Sequence, residues 1–118
     1  MTRLLLKLSG EALGGESGFG LEPGILQKTC EDIAQVVADG AELAIVLGGG
    51  NIFRGQHLAA SGMDRVVGDR MGMLATVMNG LAMGDFLTRA GVPNTLYSSV
   101  AMAGIAKGYN RDDAKADM

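Results

Sequence analysis

Hydrophobic positions along the chain fall into short runs and longer periodic stretches that alternate, the mark of an α/β fold. Leu4, Leu5, Leu6 and Leu8 form an apolar run broken only by Lys7, and Leu43 to Leu47 form a second, continuous run. Continuous rather than alternating apolar character predicts strands covered on both faces, as in a parallel sheet. Between them, Ile25, Leu26, Thr29, Cys30, Ile33, Val36 and Val37 recur at helical spacing. Pro23 suits the first turn of that helix and Gly40 suits its C′ position. A short helix is expected up to Ala60, broken at Ser61-Gly62, and a long one from Val66 to Arg89, stopped by Gly91 and Pro93. Asn94 to Tyr97 reads as a short strand and Ile105 to Asp117 as a charged helix. The strand–helix–strand spacing implies parallel strands joined by right-handed crossovers.

The long helix departs from the surface pattern. From Met71 to Gly84 it carries no charge, and only Thr76 and Asn79 are plainly polar. A helix apolar all round is buried on every side, either within its own domain or against a second subunit. Met71, Met73, Met78 and Met83 offer adaptable contact, while Gly80 and Gly84 offer a small-residue face for close helix approach.

Both apolar runs end in glycine. Gly48, Gly49 and Gly50 follow the second strand, with Asn51 and Arg54 beyond, and Ser9-Gly10 follow the first. Glycines at a strand's carboxyl end let the backbone approach a ligand closely, and a helix beginning there would add N–H donors and a positive dipole end. If the strands are parallel, both junctions open onto one edge, where α/β sheets bind ligands. Lys7, the Ser9 and Gly10 amides and Gly48 to Gly50 would then line a phosphate cleft that Arg54 could close. The plainer readings are a tight turn without ligand and a Lys7 that reaches along an edge strand to water. No Walker A loop is present, and Phe53 stands where a dinucleotide fingerprint needs its third glycine.

Composition sets the setting. The 118 residues make one domain at most, net charge −3 and a pI near 5.0 give no basic footprint for nucleic acid, and Cys30 is the single cysteine. Cys30 lies between Leu26 and Ile33 and is expected in the core, and His57 is expected to face solvent rather than bind a ligand. No signal peptide or uncharged apolar span of about 18 residues occurs, so a cytoplasmic protein is expected.

The segment Lys7-Leu-Ser-Gly-Glu-Ala-Leu13, the Gly15–Gly20 loop, Gly48-Gly-Gly-Asn-Ile-Phe-Arg-Gly55 and the run Asp64 to Met83 together resemble bacterial UMP kinases, within the amino acid kinase superfamily. The resemblance implies a three-layer αβα sandwich with a mainly parallel sheet, here incomplete. Residues 1–118 would be the N-terminal, UMP-side part, with the ATP-side half absent. It implies transfer of the ATP γ-phosphate to UMP, giving UDP in pyrimidine nucleotide synthesis. Mg²⁺ would travel with ATP. Lys7 and Arg54 would be catalytic; Lys7, Leu8, Ser9, Gly10, Gly50 and Arg54 would touch ATP; Gly49 and Asp69 would touch UMP. For Asp69 the residues alone also allow a plain helix N-terminal charge. Gly15, Glu16, Ser17, Gly18, Phe19 and Gly20 would form a loop responding to GTP, with UTP as a second effector, although Gly84 and Thr95 stand where some GTP-responsive relatives carry arginine. Relatives assemble as hexamers, trimers of dimers paired through the 66–89 helix. The alternative from the same residues is a non-catalytic fragment that binds nucleotide or assembles, since an isolated 118-residue half would be inactive.

Overall fold

The computed structural model describes residues 2–53, 58 and 60–118. Strand β1 (Arg3–Leu8) leads through a one-turn helix α1 (Gly10–Leu13) and a 3₁₀ turn (Gly15–Ser17) into α2 (Pro23–Ala38) and strand β2 (Glu42–Leu47). The long helix α3 (Arg65–Arg89) follows, then two two-residue strands, β3 (Tyr97–Ser98) and β4 (Lys107–Gly108), and a short α4 (Arg111–Asp117).

β1 and β2 pair in parallel, with Leu4, Leu6 and Leu8 opposite Leu43, Ile45 and Leu47. These aligned positions share one face, and all but Leu4, which is exposed at the strand's start, pack on a core of Leu13, Leu26, Cys30, Ile33, Met83 and Leu87 from α1, α2 and α3. Each fully buried leucine there contributes about 1.5–3 kcal/mol by leaving water. Burial also pushes the Cys30 thiol up from its ordinary range.

The parallel α/β architecture is as expected, but both-sided cover is not. Among the described residues the helices lie on one face of β1 and β2, and the alternate positions Leu5 and Val46 remain 71% and 49% exposed. Leu5 and Val46 are therefore apolar for a reason that packing within the described residues does not supply.

The helix ends follow local chemistry. Pro23 occupies the first turn of α2, and Gly40, at φ +100°, takes the left-handed conformation that stops it. Asp64 caps α3 by accepting from the Val66 N–H at 2.8 Å, and Gly91 at φ +82° follows the cap residue Ala90.

Within α3, Ala75, Val77, Asn79, Gly80, Met83 and Leu87 are buried, but cover is not all round. Val67, Met71, Leu74, Met78 and Leu81 remain exposed. Their spacing of four, three, four and three residues makes a stripe like the a/d seam of a helix pair. Nor, among the described residues, do Gly80 and Gly84 meet another helix at close range. A Cβ on Gly80 would lie 2.5 Å from Leu96 Cδ1, and one on Gly84 would lie 2.9 Å from Asn94 Oδ1.

The segment after α3 corrects two further expectations. Asn94 is not in a strand, because its side-chain amide donates to the carbonyls of Gly84 and Val92 and to the Thr88 hydroxyl, tying it to the end of α3. Pairing begins only at Tyr97, with Lys107. The expected helix from Ile105 is likewise shorter. Lys107 and Gly108 pair with β3, and the helix starts after Asn110, whose Oδ1 accepts from the Asp112 and Asp113 N–H groups. Tyr97 packs edge-on against Tyr109 and donates its hydroxyl to Asp117, which raises its pKa to about 12. The helix expected up to Ala60 falls mostly outside the described residues; Ser61-Gly62 forms the expected turn, with Gly62 at φ +99°.

Candidate functional site

Parallel pairing brings both glycine junctions to one end of the sheet. Leu8 stands opposite Leu47, and the Gly48 N–H donates to the Leu8 carbonyl at 3.0 Å, so the two chains leave the sheet side by side. Ser9 turns the first chain into α1, its Oγ accepting from the Ala12 N–H at 3.3 Å.

Beyond that point the backbones interlock so closely that side chains have no room. A Cβ on Gly10 would lie 2.5 Å from both the Gly50 nitrogen and Asn51 Oδ1, and one on Gly49 would lie 2.9 Å from Ala75 Cβ on α3. Gly48 would press on the Gly10 nitrogen and Gly50 on the Glu11 carboxylate. The contacts at Gly10 and Gly49 leave room for glycine alone, whereas a side chain at Gly48 would require a shift of a few tenths of an ångström and one at Gly50 a movement of the Glu11 carboxylate. Their product is a compact layer of backbone at the sheet edge, bounded by β1, β2 and α3.

Two buried amides brace this layer. Asn51 and Asn79 are both 0% exposed. Each donates to the other's Oδ1, at 3.2 Å from Asn51 and 2.7 Å from Asn79. Their remaining donor capacity goes to backbone: Asn51 to the Gly20 carbonyl and Asn79 to the Gly48 carbonyl, each at 2.7 Å. Gly20 returns a bond from its N–H to the Asn51 carbonyl at 2.8 Å.

The predicted site residues fall as follows. Leu8, Ser9, Gly10, Gly49 and Gly50 come together at the junction. Lys7, next to last in β1, is exposed and opposite Val46, on the sheet face away from the helices. Asp69 is exposed in the second turn of α3. It stands six residues before Ala75, hence about 9 Å along the axis from the Gly49 contact. The capping role at that helix end belongs to Asp64 instead. Arg54, Gly55 and His57 lie outside the described residues.

The Gly15–Gly20 loop is more ordered than its glycine content suggests. It holds a 3₁₀ turn, with Gly15, Gly18 and Gly20 at φ +69°, +68° and +73°, and Phe19 is 75% exposed at its tip. Ser17 Oγ braces it by donating to the Gly14 carbonyl and accepting from the Phe19 N–H.

Two participants escaped the sequence reading. Glu11 lies against Gly50, in the first turn of α1, where its charge complements the helix dipole. Asn79 was visible only as a polar residue in an apolar run, and that isolation was the available signal. Among the described residues, no group of three or more His, Cys, Asp or Glu side chains could hold a metal ion. No described helix is long and apolar enough to cross a membrane.

Interlocked glycine junctions at the carboxyl ends of parallel strands, with a helix layer behind, make a recognisable α/β frame, and comparison gives that frame a family. The chain belongs to the amino acid kinase family, whose model matches residues 2–117. Within that family it is similar to uridylate kinases. It is 58% identical over 112 residues to the uridylate kinase of Pasteurella multocida, covering 95% of this chain and 46% of that one. The uridylate kinase of Haemophilus influenzae is 57% identical, with 95% and 47% covered. Among solved structures, UMP kinase from Ureaplasma parvum superposes with a TM-score of 0.85 at 31% identity, covering 98% of this chain and 51% of that chain. UMP kinase from Bacillus anthracis gives 0.81 at 36% identity, covering 96% and 47%. The chain thus spans about half the length of the relatives it matches.

Proposed function

We propose that residues 1–118 supply the UMP-side part of a uridylate kinase, which transfers the γ-phosphoryl group of ATP to UMP. The observation that carries this reading is the layer in which Gly10 interlocks with Gly48 to Gly50 at the shared end of two parallel strands. The names of its similar relatives supply the substrates. A phosphate monoester loses its second proton near pH ~6, so UMP presents an anionic oxygen at neutral pH. That oxygen attacks the γ-phosphorus, the bond from that phosphorus to the bridging oxygen breaks, and ADP leaves. No general base is needed. The protein must align two phosphates and offset their mutual repulsion.

In this reading Lys7, projecting from the end of β1, spans the transferring group. Leu8, Ser9, Gly10 and Gly50 face the ATP phosphates with backbone donors, and Arg54 closes over them. Gly49 faces the UMP phosphate. Asp69 accepts from ribose hydroxyls, since a carboxylate against the phosphate would repel it. Mg²⁺ would enter on the triphosphate oxygens, where it offsets charge. The reaction belongs in the cytoplasm, with its nucleotides; GTP is a candidate effector at the Gly15–Gly20 loop, and UTP is a second candidate effector.

A second reading, an assembly module without catalysis of its own, is favoured by the exposed stripe on α3. Both readings include pairing of subunits through that helix, within a homohexamer.

Asp69→Asn tests the division of labour. In a chimera where residues 1–118 replace the matching part of a full-length relative, it should weaken UMP binding by about tenfold, the worth of a charge-assisted hydrogen bond, while leaving the affinity for an ATP analogue near that of the parent chimera. Calorimetric titration with each nucleotide measures both. Equal losses for the two nucleotides would assign Asp69 a structural role.

A further inference from the structure

Three successive glycines allow close approach, but they also allow peptide planes to turn over at little cost. At this junction the planes are held from outside. The Gly48 carbonyl accepts from Asn79 Nδ2 on α3 at 2.7 Å. Every described peptide is trans, so the N–H of that same peptide, which belongs to Gly49, points the opposite way, away from α3. The next plane is fixed too, because the Gly49 carbonyl accepts from the Ile52 and Phe53 N–H groups, both at 3.0 Å.

Asn79 could do this only if its own amide cannot turn. Asn51 prevents the turn by donating to its oxygen and accepting from its nitrogen. Asn51 is pinned in its turn by the Gly20 carbonyl at 2.7 Å. Carbonyls accept and never donate, so the two backbone partners leave each amide a single orientation. No buried side-chain polar atom among the described residues lacks a partner. Burying two amides costs more than burying apolar groups of that size, which suits a directional role better than space filling.

We infer that Asn79 and Asn51 are positioning residues: together they hold the Gly49 N–H turned away from α3 as a donor to a nucleotide phosphate, and they tie that donor to the Gly15–Gly20 loop through Gly20. The inference rests on the proposed nucleotide site and adds the residues that orient it. With the plane reversed, the Gly48 carbonyl would meet the anion, and a donor would become a repelling acceptor.

The test is NMR on the protein and on Asn79→Leu and Asn79→Asp. The orientation of the Gly49 N–H is read from its residual dipolar coupling, and binding from titration with UMP, with uridine as the phosphate-free control. UMP, and not uridine, should move the Gly49 amide of the parent protein. Asn79→Leu should change the coupling and weaken UMP about tenfold or more. Asn79→Asp should match it at alkaline pH and then regain UMP affinity relative to the parent as pH falls. Burial raises the carboxyl pKa, and the protonated form can again donate to Gly48. A residue that only fills space would give neither the altered coupling nor the recovery. Should Asn79→Leu fail to fold, Asn51→Ala frees the Asn79 amide and carries the same two readouts. A variant with parent-like coupling and parent-like UMP affinity would overturn the inference. A parent whose Gly49 amide ignores UMP, while Asn79→Leu still alters the coupling, would overturn the nucleotide reading and leave the peptide lock standing.

Discussion

Lys7→Ala should lower turnover by roughly 10²–10³-fold while changing UMP affinity only a few-fold, the loss that follows removal of one donor acting on transition-state charge. The assay uses a chimera in which residues 1–118 replace the matching part of the Pasteurella multocida relative, to which they are 58% identical over 112 residues. An ammonium between two phosphates matters most when the transferring group lies midway between them, so the defect should appear in kcat. Lys7 is exposed at the sheet end where both glycine junctions emerge. That placement fits a residue waiting for an anion, and it equally fits a side chain reaching for water. Near-normal turnover would decide for water.

Replacing Leu74 and Met78 together with glutamate should break the helix-paired contact and lower the association state of the protein without loss of helix content. Both side chains are about half exposed in the isolated chain, in the middle of the stripe from Val67 to Leu81. On a free surface such substitutions shift stability by no more than about 0.5 kcal/mol and leave the association state alone. In a subunit contact they bury unpaired charge and abolish it. Light scattering and circular dichroism separate the outcomes. A parent protein that is already monomeric, or a double variant with the parent's association state, would remove the stripe from any role in assembly.

Local and periodic features of this fold were legible in the sequence. Pro23, Gly40, Ser61-Gly62 and Gly91 punctuate the chain where they should, because capping and turn chemistry depend on neighbours a few residues away. The meeting of the two glycine junctions was legible as well, since parallel strands must share a carboxyl edge. What depends on distant partners was not. Leu5 and Val46 read as buried from composition and lie exposed, because an apolar run does not say how many layers cover it. Asn94 carries no signal that its amide will be drawn to the end of α3. Ile105 to Tyr109 read as helix until the pairing of Lys107 and Gly108 with Tyr97 and Ser98 is known. At the site, glycine spacing located the backbone layer. Its bracing by Asn51 and Asn79, 28 residues apart, needed the tertiary structure.

The most direct test of the central claim is UDP formation by the same chimera. With ATP, Mg²⁺ and UMP it should produce UDP and ADP in equal amounts, with UMP strongly preferred over other nucleoside monophosphates. A chimera that folds and assembles like the Pasteurella multocida enzyme yet forms no UDP would contradict the assignment of residues 1–118 as the UMP-side half of a uridylate kinase.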